Sequence, residues 1–373
     1  MNAIAYCIAF ARDENTLVYR EQAKLMIESL FDFGEWGQHG PVVVFTNLKH
    51  RPLIDEIRSD LHPKVIEIHV DFDDWSSGKE GKLPSARFRI GAWRHFRDYW
   101  IGRDHVLYLD TDVIVRAPLQ SMLQWMTETH ADIAGAMVAN RCMARSRWFN
   151  GHITPQYQHL ARRTPPVQSG TILFSNKGDL FSSTCCFWDI EDCGPHRDTD
   201  PHLVTDQSSH NLLHLKSTIG ELPLKSAIMP PRFVACPHTG QRKALGHAEV
   251  NSAAIWHFWH LKTQEDRLVA MNSELDRLRR RGDHPAPPGL IGEWVHKKPK
   301  EKIENRWTFW PDGLITVDEP ALCGRWEWSP GSVIIDWLWG HEKISVPTVS
   351  VGYRERPLHG YSFRNGGFTL EKI

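Results

Sequence analysis

Asp110 and Asp112 stand one residue apart at the end of an apolar run, in the segment HVLYLDTDVIVRAPL over residues 105–119. In an extended chain, residues i and i+2 point to the same side, so both carboxylates can face one ligand. Two carboxylates this close repel each other and imply a cation between them. Oxygen ligands with no cysteine nearby suit a hard ion such as Mg²⁺ or Mn²⁺. Such an ion clamps a diphosphate and neutralises the charge that grows on a departing phosphate. Solvated acids closing a strand would carry the same letters, but the apolar run ahead of them favours the ligand-facing reading.

Positioning that pair requires a buried strand, and the preceding chain supplies its neighbours. Residues 3–10 (AIAYCIAF), 41–47 (PVVVFTN), 64–71 (KVIEIHVD) and 105–110 (HVLYLD) read as strands. Helical apolar spacing over 16–34 ends at Gly34, and shorter helices are expected over 51–61 and 85–100. Strand and helix alternate up to Asp110. This predicts an α/β domain with a mostly parallel sheet and helices on both faces, in which ligands bind at the carboxyl ends of the strands. Residues 131–138 and 169–175 predict further strands, and 253–260 a last strand or its exit. The Arg-, His-, Pro- and Asp-rich stretches 140–168 and 190–205 read as long loops.

Residues 263–282 predict a helix, with Thr263 and Asp266 as its capping pair, Leu268, Met271, Leu275 and Leu278 as its apolar stripe and Gly282 as its stop. DHPAPPG over 283–289 is a Pro-rich linker. From about residue 303 short alternating strands separated by PDG, SPG and NGG turns predict a small antiparallel β-domain. The expected organisation is a catalytic domain over 1–262, a helix and linker over 263–302, and a tryptophan-rich β-domain over 303–373.

Charged residues make up 24% of the chain and the formal net charge is −1, so no global field draws it to nucleic acid or anionic lipid. No apolar run is long enough to span a membrane, and the first residues lack the pattern of a signal peptide. The 7 cysteines include no CxxC pair; reduced thiols in a cytoplasmic protein are expected. Of the 16 tryptophans, those at 294, 307, 310, 326, 328, 337 and 339 crowd the C-terminal part. Their alternation predicts one set filling the core of a small domain. An exposed set would instead grip a glycan or make contacts in a homo-oligomer.

A strand leading into Asp-x-Asp also opens the haloacid-dehalogenase phosphatases. Their motif continues to Thr or Val at its fifth position and lies on the first strand, whereas here Ile114 follows on roughly the fourth. The segment LYLDTDVIV is instead very similar to the metal-binding signature of retaining GT-A glycosyltransferases, especially family 8, the lipopolysaccharide galactosyltransferases and glycogenins. Four more segments resemble that family's motifs in the same order. SARFRIGAW resembles the helix before the metal-binding strand, with Arg87 as a donor-contacting or bracing arginine. VQSGTILFS resembles a segment lining the sugar pocket, with Ser169 and Gly170 in it. In VTDQSSHNLL, Asp206 matches the acid that binds donor-sugar hydroxyls and Gln207 the residue beneath the anomeric carbon. In AIWHFWHLK, His257 matches the third protein ligand to the metal.

The resemblance implies a GT-A, Rossmann-like domain that uses Mn²⁺ or Mg²⁺ and a UDP-sugar donor. It implies metal ligands Asp110, Asp112 and His257, and donor contacts from Thr111, His260 and Lys262; Ala9 and Arg12 are positional assignments for the base. It also implies transfer of a hexose with retention to a glycan, lipid or protein acceptor. The sequence departs from the family at Gln168, where asparagine is usual, at His260, where glycine is usual, and at Lys262, which comes one residue early. A non-catalytic glycan-binding protein using the tryptophan-rich region is the alternative.

Overall fold

The structure, a computed structural model, describes residues 1–10, 17–47, 51–70, 92, 97–137, 142–145, 157–177, 181, 184, 206–237, 250, 253–283, 292–298, 303–309, 314–317, 322–329, 332–337, 340–345, 358–362 and 366–372. These fall into two compact units, one of residues 1–245 with 253–272 and one of 246–252 with 273–373.

The first unit is built on a 7-stranded sheet. Its strands are β1 (Ala3–Ile8), β2 (Val42–Thr46), β3 (Val65–His69), β4 (His105–Leu109), β6 (Ile133–Met137), β7 (Val167–Ser175) and β8 (Ser226–Met229). The order is β3-β2-β1-β4-β7-β6-β8. Neighbours run parallel except β7, which is antiparallel to both β4 and β6. The reversed strand sets the start of β7 beside the carboxyl end of β4, with Leu109 opposite Thr171. A second sheet pairs β5 (Val113–Val115) antiparallel with β10 (Ile255–His257), which runs parallel to β9 (Val234–Ala235).

Alternation along β1 divides the core. Ala3, Ala5 and Cys7 face one side, with Met26, Ile27 and Leu30 of helix α1 (Val18–Asp32) and Met122, Leu123 and Met126 of a helix over Gln120–Thr129. Ile4, Tyr6 and Ile8 face the other, with Trp100 of a short helix over Arg97–Trp100 and Leu213 of a helix over Asp206–Thr218. In chain order these helices are α2 (Arg97–Trp100), α3 (Gln120–Thr129), α4 (Gln158–Ala161), α5 (Asp206–Thr218) and α6 (Gln264–Asp283). Helices thus cover both faces of a mostly parallel, Rossmann-like sheet, as the strand–helix alternation implied. Where a helix was expected over 51–61, Ile54–Glu56 and Ser59–Lys64 form 3-10 turns, the second containing Pro63, which has no N–H to donate. Most of the helix expected over 85–100 lies outside the described residues.

Two buried histidines give this unit a pH dependence. His105 starts β4 with its Nε2 3.2 Å from Thr127 Oγ1, and His214 in α5 has its Nδ1 2.9 Å from Ser226 Oγ. Burial lowers each to about 4. Both are neutral when folded, while the unfolded side chains take up protons near 6.5. Stability is therefore fully present above that value and is lost as pH falls from about 6.5 toward 4. The expected loss at pH 5 is about 2 kcal/mol per histidine. Urea unfolding at pH 7.5 and pH 5 measures it, and the pair His105→Gln and His214→Gln should flatten that part of the profile.

Helix α6 begins as expected, with the Asp266 N–H donating to Thr263 Oγ1 at 3.0 Å. Met271, Leu275 and Leu278 are buried. It runs through Gly282 to Asp283, one residue beyond its expected stop.

In the second unit eight antiparallel strands close into a barrel, each paired with its sequence neighbour and the last with the first. They are β11 (Gly292–Lys298), β12 (Ile303–Phe309), β13 (Leu314–Val317), β14 (Leu322–Ser329), β15 (Ser332–Trp337), β16 (Gly340–Ser345), β17 (Leu358–Ser362) and β18 (Gly366–Lys372). Closure leaves no free edge. The first strand lies in the stretch read from sequence as linker. Its GEWVHKK pattern is polar and basic, yet it closes the ring by pairing with both β12 and β18. Trp294, Trp307 and Trp326 are buried. Phe309 packs edge-on to Trp294 and Trp326, and Trp307 stacks on His296 at 4.3 Å. These three indoles fill the core; Trp310 and Trp339 lie outside the described residues.

Candidate metal centre

The sequence LYLDTD ends β4 and turns into β5. The Asp110 N–H donates to Gly170 O at 2.7 Å, continuing the β4–β7 ladder beyond the strand. Its Oδ1 accepts from the Tyr108 hydroxyl at 2.5 Å. The antiparallel β5–β10 pairing sets Val113 opposite His257, and the Phe258 N–H donates to Asp112 O at 2.9 Å. Two residues far apart in sequence thus arrive beside the acidic pair.

Asp110, Asp112 and His257 each offer a ligand atom, all within 4.8 Å of one another. His257 Nε2 lies 3.0 Å from Asp112 Oδ1 and 3.6 Å from Asp110 Oδ2. Two ligands at right angles around a small divalent ion at about 2.1 Å stand about 3 Å apart, so these separations suit such an ion. Gln168 Oε1 lies 3.2 Å from His257 Nδ1. With an ion bound, it would accept from Nδ1–H and leave the Nε2 lone pair to the metal; without one, Nε2 stands at hydrogen-bond distance from Asp112 Oδ1. Among the described residues the Gln168 amide nitrogen is buried without a partner.

Gly170 makes room for the ring. A Cβ there would stand 2.1 Å from His257 Cε1 and 2.7 Å from Asp110 Oδ2. Burial alone raises the Asp112 carboxyl, but the His257 ring and the Arg267 guanidinium outweigh it and hold the group below the ordinary carboxylate range. Burial, with the Asp110 charge added, pushes the Cys7 thiol far up, so it stays protonated and inert.

The other expected residues have these places. Thr111 is buried with its hydroxyl 3.4 Å from Gln22 Oε1. Ser169 is buried beside Gly170 in β7. His260 is half-buried, its Nδ1 3.1 Å from Cys236 Sγ and its ring stacked on Phe258. Lys262 is exposed. Ala9 is fully buried in the core, and its N–H donates to Phe45 O, so its side chain offers no surface to a base. Asp206 opens α5 and half-buried Gln207 follows it. Arg12 and Arg87 lie outside the described residues, as does the side chain of Asp206.

Three residues to which the sequence reading gave no role assemble the site, although Asn211 lies inside the family-like segment VTDQSSHNLL. Asn211 bonds both the N–H and the carbonyl of Val167 and the carbonyl of Gln207, so the first turn of α5 is fastened beside the start of β7. Gln22 of α1 donates to the Gln264 carbonyl, joining the Thr111 turn to the start of α6. Arg267 donates to Asp112 Oδ2 at 2.9 Å. The one sequence signal for Arg267 was a cation in the first turn of a helix, where the macrodipole disfavours it.

No protein-family model matches the chain, and no curated protein is significantly similar to it. Among solved structures it is similar to the galactosyltransferase LgtC in complex with donor and acceptor sugar analogs, at 16% identity over 73% of this chain and 96% of that one, with a TM-score of 0.48. It is similar to mouse xyloside xylosyltransferase 1 at 13% identity over 70% and 100% of the two chains, with a TM-score of 0.46. It is also similar to the bifunctional glycosyltransferase WbbM at 12% identity over 75% and 51%, with a TM-score of 0.48.

Proposed function

We propose that the protein is a metal-dependent glycosyltransferase that moves a hexose from a UDP-sugar to a glycan, lipid or protein acceptor, with retention at the anomeric carbon. The observation that carries this reading is the convergence of Asp110, Asp112 and His257 at the carboxyl end of β4, with their ligand atoms within 4.8 Å. The ordered set of family-like segments supports it. A bound divalent ion would supply Lewis-acid stabilisation to the diphosphate leaving group.

The chain's own residues do the rest. Asp110 and Asp112 present carboxylate oxygens, and Gln168 fixes the His257 tautomer. Gly170 keeps the space between the two strands open. Gln207, held by Asn211 next to β7, steadies the sugar while the acceptor attacks from the leaving-group side, and Asp206 binds sugar hydroxyls. His260 and Lys262 meet the phosphates. A cytoplasmic setting belongs to the same proposal, with the free thiols of Cys7 and Cys142 as its support. Among the described residues no helix is long and apolar enough to cross a membrane.

A panel of nucleotide sugars with Mn²⁺, followed for donor hydrolysis, tests the reading. One UDP-sugar should be hydrolysed slowly without acceptor, and EDTA should stop the reaction. Hydrolysis of none, or hydrolysis indifferent to EDTA, would sink it. Glycan binding that persists in EDTA with no donor turnover would point to the binding-protein alternative.

A further inference from the structure

Arg267 stands in the first turn of α6, where a cation opposes the helix dipole. Its guanidinium spans three acceptors. Nη1 donates to Asp112 Oδ2 at 2.9 Å, Nη2 to the Trp259 carbonyl at 3.0 Å and Nε to the Leu261 carbonyl at 3.1 Å. The two carbonyls flank His260. The two oxygens of Asp112 are thereby divided, Oδ2 to Arg267 and Oδ1 to the side of His257, 3.0 Å from Nε2. The side chain of Asp112 is only 8% exposed, so water cannot take over the role of the guanidinium. A planar fork with five N–H donors can satisfy three acceptors in fixed directions, which an ammonium cannot.

We propose that Arg267 is a positioning residue of the metal centre. It sets which oxygen of Asp112 faces the ion, and it fastens the turn over residues 259–261, with His260 on it, to that same carboxylate. The ion and the phosphate-facing turn then share one anchor. This rests on the reading that Asp110, Asp112 and His257 hold a divalent cation.

The test measures Mn²⁺ binding to the full chain, without nucleotide, by electron paramagnetic resonance. It compares the parent with Arg267→Met, Arg267→Lys and Met271→Ala. The last removes a buried side chain from the same helix and reports on loss of stability alone. Arg267→Met should weaken Mn²⁺ binding by about 10- to 100-fold, the usual cost of removing an outer-shell partner. Arg267→Lys should fall between it and the parent, with a broadened spectrum for the bound ion. Met271→Ala should bind like the parent although its melting temperature is lower. A dissociation constant within twofold of the parent for Arg267→Met overturns the inference; so does the same result for Arg267→Lys where the methionine variant does not fold, or equal weakening by Met271→Ala. A parent chain that shows no saturable Mn²⁺ binding removes the metal-centre reading itself, and this inference with it.

Discussion

Replacing Asp112 by asparagine is expected to lower metal-dependent turnover of a nucleotide sugar by about 10²–10³-fold, the usual effect of removing one electrostatic element from a preorganised site. Asparagine has nearly the shape of aspartate, and its carbonyl oxygen can still accept from Arg267. The backbone bond between the Phe258 N–H and Asp112 O is untouched. The fold should therefore persist, with an unchanged far-ultraviolet spectrum. What is lost is the charge at Oδ1, 3.0 Å from His257 Nε2. Calorimetric titration with Mn²⁺ and a coupled assay for UDP release read the two losses separately. Parent-like turnover in Asp112→Asn would show that the acidic pair does not serve the chemistry.

Local pattern made part of this site legible in the sequence. The apolar run before Asp110 marks a buried strand, and the i, i+2 spacing marks a shared face; both properties belong to a few consecutive residues. His257 could be reached only through resemblance, because its place beside Asp112 depends on the β5–β10 pairing between segments more than a hundred residues apart. The roles of Arg267 and Asn211 were hidden for the same reason. Asn211 lies inside a family-like segment and Arg267 is a cation in a first helical turn, but each acts through hydrogen bonds to residues distant in sequence, which no local pattern reveals. The barrel shows the limit from another side. Alternating apolar residues betrayed several of its strands, but β11 carries Glu293 before its buried Trp294 and Lys297 and Lys298 after its buried His296, and it sits behind a Pro-rich stretch. Ring closure, a property of all eight strands together, made it part of the domain.

Gly170→Ala should be the more damaging change although it adds a single methyl group and removes no charge. The new Cβ would stand 2.1 Å from His257 Cε1, 2.7 Å from His257 Nδ1 and 2.7 Å from Asp110 Oδ2. None of these can yield cheaply. His257 is buried and held through Nδ1 by Gln168. Asp110 is held at Oδ1 by Tyr108 and at its N–H by Gly170 O itself. Overpacking of this kind costs about 1–3 kcal/mol, and here it also drives apart two of the three candidate ligands. Mn²⁺ binding should fall below detection while the chain still folds. Gly40→Ala separates the two effects. Its Cβ would stand 2.0 Å from the Ala3 carbonyl, at the opposite end of β1 from the candidate metal centre. That variant should lose stability on a similar scale and keep its affinity for Mn²⁺. Equal losses of Mn²⁺ affinity in both variants would mean that ion binding follows overall stability and that the close packing around Gly170 has no special part in it.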